Sequence, residues 1–522
     1  MSPNRRIFLN IIATYGRSLY ALVTGLFCGR WVLMALGEVD FGLLGVVGGL
    51  TVFISYLNGI LSGAIGRFYA LSVGEQTNDR KAGMESGRMW FTAAVVIQTI
   101  MPTVLLIVCY PIGVWAVESF LTIPLDKIQD CVWVWRFVCV SCYVGMVSMP
   151  WNAMYVAHQY IAELTIYSFV TTTFKVGILY YMVTHPGAWL SKFAFWQCLL
   201  VVLPSVIIWS RAHYLFPECR IVRKYLRCWH NVKKMAAYAM WNAWGSLGAI
   251  LRGQGVAIMV NKYFGPSANA GVSVGTSLSG HCDMLAGSMI GAFSPAIFNA
   301  WGAGDYTRAR QLAFQVCKIG TLFILIFSLP LSLEVEEVLR LWLRDPPQYA
   351  AGMCLLVMAM TVIDKMAVGH MICVNANGNV AKYQAVLGTS LVLTLPLAWL
   401  LIYLEVGVYS VGWAMLATMV VCALGRVWFA RSLVGMGARC WLRHVFLPLL
   451  ILIACCLIVG SVPRLLLPPS LLRVFATTGF VEAVLFPFAW LFLLDSSEKQ
   501  YVLTRLSGII RQIKDVRDAK VG

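Results

Sequence analysis

MAAYAMWNAWGSLGAILRGQGVAIMVNKYFGPSANAGVSVGTSLSGHCDMLAGSMIGAFSPAIFNAWG, residues 235–302, decides the class of this protein. Only Arg252, Lys262 and Asp283 carry charge in that stretch. A helix crosses a bilayer core with about 20 predominantly apolar residues, so 235–263 and 268–302 each suffice, with Gly265 and Pro266 as punctuation between them. The pattern continues in both directions. Apolar segments fall at 7–36, 42–73, 86–112, 129–155, 158–184 and 190–210 before this stretch, and at 310–333, 350–376, 381–404, 408–431, 444–462 and 474–494 after it. The sequence therefore predicts an all-α polytopic membrane protein of about fourteen transmembrane helices. Composition agrees: 60% of the 522 residues are hydrophobic and 12% charged, with a mean hydropathy of +0.76. Soluble domains are about 25% charged, which excludes that class here. The net charge of +17 does not indicate nucleic-acid binding, because most of the basic residues lie between apolar runs.

The first segment is longer than a signal-peptide core and has no small-residue cleavage pattern, so it reads as a retained helix. Sixteen cysteines are scattered, mostly inside apolar runs. The Cys139/Cys142 pair on an apolar helix reads as packing. His281 and Asp283 lack the further spaced ligands of a metal site, and no catalytic constellation, metal or soluble cofactor is expected. No GxxxxGK[ST] loop is present to hydrolyse ATP, which leaves an H+ or Na+ gradient as the energy source.

Charge asymmetry sets an orientation. With the N-terminus in the cytoplasm, 26 Lys and Arg fall on that side and 7 on the other. An even helix count then returns the C-terminus to the cytoplasm, as expected of a multi-pass inner-membrane protein. The basic loop from Arg211 to Lys234 divides the chain. Gly37 and Gly265, Gly63 and Gly291, and Gly74 and Gly302 each stand 228 positions apart, which indicates parallel repeats of six helices. The expected domains are a six-helix lobe over 1–212, a basic linker over 213–234, a second six-helix lobe over 235–432, two additional helices over 433–494 and a cytoplasmic tail over 495–522.

Of the 40 Lys and Arg, the 26 and 7 assigned to the two sides leave seven deep in the apolar runs: Arg17, Arg30, Arg67, Arg136, Lys175, Arg252 and Lys365. A cation at mid-membrane costs roughly 2.5–3.5 kcal/mol on insertion scales and faces lipid only at that cost. Together with Asn242, the first six are expected to contact substrate. The acids set back from the ends of the runs are Glu163, Asp283, Asp364 and Glu482. Asp283 reads either as a structural partner of Arg252 or as a site for a coupling ion. Asp364 and Lys365 are adjacent, about 100° apart on a helix, and are free to pair with other helices. Pro295, following Gly291 in a segment too long to cross straight, marks an expected bend and a candidate hinge.

Six stretches together resemble a bacterial polysaccharide flippase of the multidrug/oligosaccharidyl-lipid/polysaccharide exporter superfamily. They are LGEVDFGLLGVVGGL (36–50), LNGILSGAIGRFYA (57–70), PWNAMYVAH (150–158), AMWNAWGSLGAILRGQGVAIMVNKYFGP (239–266), GAFSPAIFNAWGAGDYTRARQL (291–312) and NANGNVAKYQ (375–384). The resemblance implies two six-helix lobes and translocation of a polyprenyl-pyrophosphate-linked oligosaccharide between leaflets by alternating access. It serves surface polysaccharide synthesis, lipopolysaccharide included, with membrane lipids and a polysaccharide polymerase or ligase as partners and no nucleic acid. By the same resemblance, Arg17, Arg67 and Arg252 lie where such proteins place cavity or gate charges. The alternative reading is a cation-coupled multidrug efflux transporter, whose cationic drugs favour acidic and aromatic groups. A glycan-transferring membrane enzyme or a scaffold fits less well, because the loops are short and the deep charges are then idle.

Overall fold

The computed structural model describes residues 52–494 apart from 121–122, 186, 227–228 and 344–345, together with Lys499 and part of the segment between Asn10 and Leu44. Those residues are helical throughout, with short turns between helices. Nine helices among them are long and apolar enough to cross a membrane, and a tenth counts if Ala350–Met366 and Val368–Asn377, bent by 45°, form one span. The number is below the expected fourteen for a physical reason. Val52–Glu75 is rich in Gly and Ser, and it buries Ala64, Ile65, Phe68, Tyr69 and Ala70 against protein. A helix enclosed by other helices is held by close packing and needs less apolarity than one facing lipid. Trp229–Gly302 has the same glycine- and serine-rich character, and residues 7–36 are described only in part.

Packing divides the chain into two compact units. The first comprises Met1–Leu251, Gly287–Ala313 and Met371–Val392. Its main core gathers Phe68, Tyr69, Phe91, Trp151, Tyr155 and Met235. A second cluster, around Trp135 and Cys139, joins Ile128–Val147 to Leu190–Leu215. The second unit comprises Arg252–Ala286, Phe314–His370 and Leu393–Gly522. There the helices Leu447–Gly460 and Leu471–Phe488 pack on Tyr306–Leu333 through Leu325, Leu449, Leu452 and Val481. Glu334 is buried and accepts from Arg473 Nη2 at 2.7 Å and Thr477 Oγ1 at 2.9 Å.

Repetition is visible in the backbone. Two helix pairs break after one long leg: Ile128–Val147 before Met149–Ala157, and Ala350–Met366 before Val368–Asn377. Their break residues, Ser148 and Ala367, stand 219 positions apart, and so do Gln159 (φ 62) and Gly378 (φ 87) beyond the second legs. Pro150 occupies the first turn of its restarted helix, where a missing N–H costs nothing. Gly37 and Gly265, matched by the 228 offset, both take positive φ, 76 and 86. With ψ at 175, Gly265 lies in a region essentially restricted to glycine. It is the break in Trp229–Gly302, whereas Gly291 and the buried Pro295 lie within helical backbone.

Candidate functional site

In the first unit two helical stretches 228 positions apart in sequence meet through matched contacts. Gly74 lies against the backbone of Asn299 and Ala303, while Gly302 lies against the backbone of Leu71. Leu71 and Asn299, like Gly74 and Gly302, are 228 apart, so each helix offers the other its glycine and the residue three before it. A Cβ at either glycine would collide with backbone, which cannot yield.

Around this contact, Arg67 and Asn299 each hold the end of a broken helix. Arg67 donates from Nη2 to the Ala376 carbonyl at 2.9 Å and from Nε to that of Asn375 at 2.5 Å. Asn299 donates from Nδ2 to the Ala157 carbonyl at 3.1 Å. Ala157 and Ala376 are again 219 apart. These are carbonyls at a helix C-terminus, which the helix itself leaves unsatisfied. Arg67 is buried, with its guanidinium over the Tyr238 ring at 4.6 Å. The expected substrate-contacting arginine is thus a cap and a cation–π partner inside the protein. Further ties run from Asn78 Nδ2 to the Ala303 carbonyl at 2.7 Å, and from Gln76 Nε2 to Glu218 at 2.6 Å. Glu218 also lies 3.4 Å from His158 Nε2. Burial alone would raise the Glu218 carboxyl, but hydrogen bonding and charge from His158, with the bond from Gln76, outweigh it and hold its pKa down to about 2.

The second unit holds a buried charge network. Lys365 Nζ lies 2.7 Å from Asp283 Oδ1 and 3.1 Å from Asp364 Oδ2. Arg426 Nη1 lies 2.7 Å from Asp364 Oδ1. Arg252, 9% exposed, stands close enough to Asp364 and Arg426 to feel both charges, yet its Nε and Nη1 donate to nothing among the described residues. Asp283 therefore pairs with Lys365 rather than with Arg252, and its side chain is 42% exposed. Three cations face two carboxylates in a medium where such charges interact strongly. Arg426 escaped the sequence reading, which placed it at the cytoplasmic surface. It lies inside Ser410–Val434 and is 8% exposed; the apolar residues flanking it in CALGRVWF were the available signal.

Other expected site residues sit apart from this network. Arg17 and Lys175 are half-buried without an ion pair among the described residues. The Arg136 guanidinium lies over Trp133 at 4.6 Å. Asn242 donates to the Tyr238 carbonyl at 2.9 Å and accepts from Gln384 at 2.8 Å, so its amide is engaged within the protein. Arg30 lies outside the described residues. Glu163 pairs with Arg211 at the start of Ile161–Thr184. Cys139 and Cys142 are both free, and no cluster of metal-ligating side chains occurs among the described residues.

The family model described as MatE matches residues 250–401. No curated protein matches the sequence. Solved structures match over most of the chain. One is an outward-facing multidrug resistance MATE family transporter of the MOP superfamily, at TM-score 0.66 and 12% identity, covering 83% of this chain and 96% of that one. Another is a MATE structure in a bent conformation, at TM-score 0.67 and 14% identity, covering 83% and 96%. A third is a MOP superfamily transporter from Pyrococcus furiosus whose binding pocket is described as of reverse polarity, at TM-score 0.64 and 13% identity, with the same coverage. The fold is that of these membrane transporters.

These matches overturn the oligosaccharide-flippase reading, with its lipopolysaccharide, lipid-linked substrate and polymerase or ligase partners. The physical reason is visible in the residues that suggested it. Several glycines of the quoted motifs make helix contacts, so the motifs mark a shared fold and carry no information on substrate. The charges expected in a cavity are also fewer, because Arg67 caps a helix and Lys365 is paired with two acids.

Proposed function

We propose that this chain is a secondary transporter that exports small amphipathic molecules by alternating access, powered by a cation gradient. The observation that carries the reading is that Arg252, Asp283, Asp364 and Lys365 all fall within the segment matched by MatE, and that three of them form one ion-pair chain centred on buried Lys365. Exposed Asp283 is the acid placed to take up the coupling ion. Its protonation removes one of the two anionic partners of Lys365 and leaves the network with more uncompensated positive charge. The energy of that imbalance favours a different arrangement of the helices that carry it. A proton suits the site better than Na+, since the Lys365 ammonium already occupies the space between the two carboxylates.

The finer organisation belongs to the same proposal: fourteen helices, six-helix lobes over 1–212 and 235–432, two added helices over 433–494, and both termini in the cytoplasm. The matched offsets of 228 and 219 support two repeats. Arg17 and Lys175 are assigned to the substrate path, Gly291 and Pro295 to its bending.

The test is transport by the purified chain in proteoliposomes. A pH gradient is expected to drive a fluorescent amphipathic cation such as ethidium, and Asp283→Asn to lower the driven flux by about tenfold or more with melting unchanged, whereas Asp283→Glu retains it. Movement driven by Na+ alone would transfer the coupling to that ion. Absence of transport under both gradients would remove the proposal.

A further inference from the structure

A groove in the first unit carries charge that no acid among the described residues pairs with. It lies between Ile128–Val147 and Leu190–Leu215, encloses about 340 Å³, and is lined by Trp133, Phe137, Ser191, Lys192, Phe195 and Trp196. Phe137 meets Phe195 edge to face at 5.5 Å and stacks on Trp133 at 5.7 Å, which fixes the register of the two helices and forms the aromatic floor. Arg136 adjoins Phe137 in sequence, and Lys192 lies one helical turn before Phe195. The Arg136 guanidinium rests on Trp133 at 4.6 Å and the Lys192 ammonium over Trp189 at 5.3 Å. Among the described residues neither makes an ion pair.

A second groove, of about 620 Å³, meets the first at Trp196. Its lining runs along Ile161–Thr184 from Tyr181 to Phe169, twelve residues or about 18 Å of helix, and is almost wholly apolar. At one end stand two cations, a serine hydroxyl and a belt of tryptophans; from there an apolar trough leads along the spanning helices. Tryptophan belts and basic side chains mark the headgroup level of a bilayer, and a trough of this length matches an acyl chain.

We infer that the two grooves form a binding site for one anionic phospholipid, with its phosphate held between Arg136 and Lys192 and an acyl chain in the trough lined by Phe169, Phe174 and Tyr181. Charge complementarity selects this occupant over a zwitterionic lipid. Two cations at the membrane surface each favour an anionic lipid, and the aromatic faces hold both side chains in place without neutralising them. The site is distinct from the Asp283 network and does not depend on the transport reading.

The experiment is native mass spectrometry of the full chain released from nanodiscs containing equal amounts of phosphatidylglycerol and phosphatidylcholine. About one phosphatidylglycerol is expected to stay bound per chain, at least tenfold in excess over phosphatidylcholine. Arg136→Gln with Lys192→Gln is expected to bring the two lipids to parity, while Arg136→Lys keeps most of the preference and the melting temperature in lipid-free detergent is unchanged. Trp196→Ala, which alters the junction and leaves the charges intact, is expected to weaken retention of both lipids. Equal retention by the native chain, or undiminished preference in the double variant, overturns the inference. So does displacement of the lipid by ethidium, which would make the groove a substrate site, or by millimolar inorganic phosphate, which would make it an ion site.

Discussion

Two buried acids illustrate what a partner does for a charge. Asp364 is held by Arg426 and Lys365, and removal of one partner from a buried pair leaves an uncompensated charge. Arg426→Ala is therefore expected to destabilise the protein by about 3–5 kcal/mol, read as a large loss of thermal stability in detergent. Glu218, outside the spans, makes a pH-dependent contribution. Its folded pKa of about 2 lies below the ordinary carboxylate value, so its stabilisation is complete above about pH 5 and fades as the pH falls toward 2. Glu218→Gln should cost about 2 kcal/mol at pH 7 and nearly nothing at pH 2, measured by melting at both. Sequence alone showed several of the deep charges, though not Arg426, and it did not show their partners. Asp283 was matched to Arg252 by helix position, whereas Lys365 reached it from another helix, and Arg426 looked peripheral because its depth depends on where its own helix begins.

At the level of elements, the reciprocal caps are the parts best suited to open and close. Arg67→Ala leaves two carbonyls at the end of Val368–Asn377 without their donor, a cost of about 1–3 kcal/mol, and Asn299→Ala leaves one at the end of Met149–Ala157. If the contact opens during transport, a cysteine placed at Ala376 in a cysteine-free background should react with a water-soluble maleimide about 5–100 times faster when Arg67 is Ala, and by a smaller factor when Asn299 is Ala. Unchanged reactivity in both would show that the caps are permanent structure. Gly265→Ala, at a backbone setting that side chains do not tolerate, should cost about 1–3 kcal/mol in melting measurements. The spans facing lipid were legible from apolar run length, and the glycine offset was legible as a number. What the glycines do was not: Gly74 and Gly302 serve close backbone approach and Gly265 serves a break, and one letter stands for both. The break in Trp229–Gly302 falls at Gly265, whose ψ of 175 interrupts the hydrogen-bond ladder, while Pro295 stands in helical backbone near the end of that stretch.

For the whole molecule, the open question of topology turns on parity and charge. Residues 7–36, 42–73 and 235–302 supply the four segments that separate the ten apolar spans from fourteen, and all four are glycine-rich or enclosed. If all four cross, the count is even and both termini share a side; if one of them lies in the interface, the termini separate. Lys and Arg predict which side, since the loop around Arg211–Lys234 and the tail beyond Asp495 carry most of the basic excess and basic loops remain in the cytoplasm. Green fluorescent protein fused after Gly522 should fluoresce, and alkaline phosphatase fused there should be inactive. Phosphatase inserted between Leu343 and Ala350 should be active, because that loop lies after an odd number of crossings from the N-terminus. An active phosphatase at the C-terminus would refute the even count, and the charge rule would then have to act on the first helices alone.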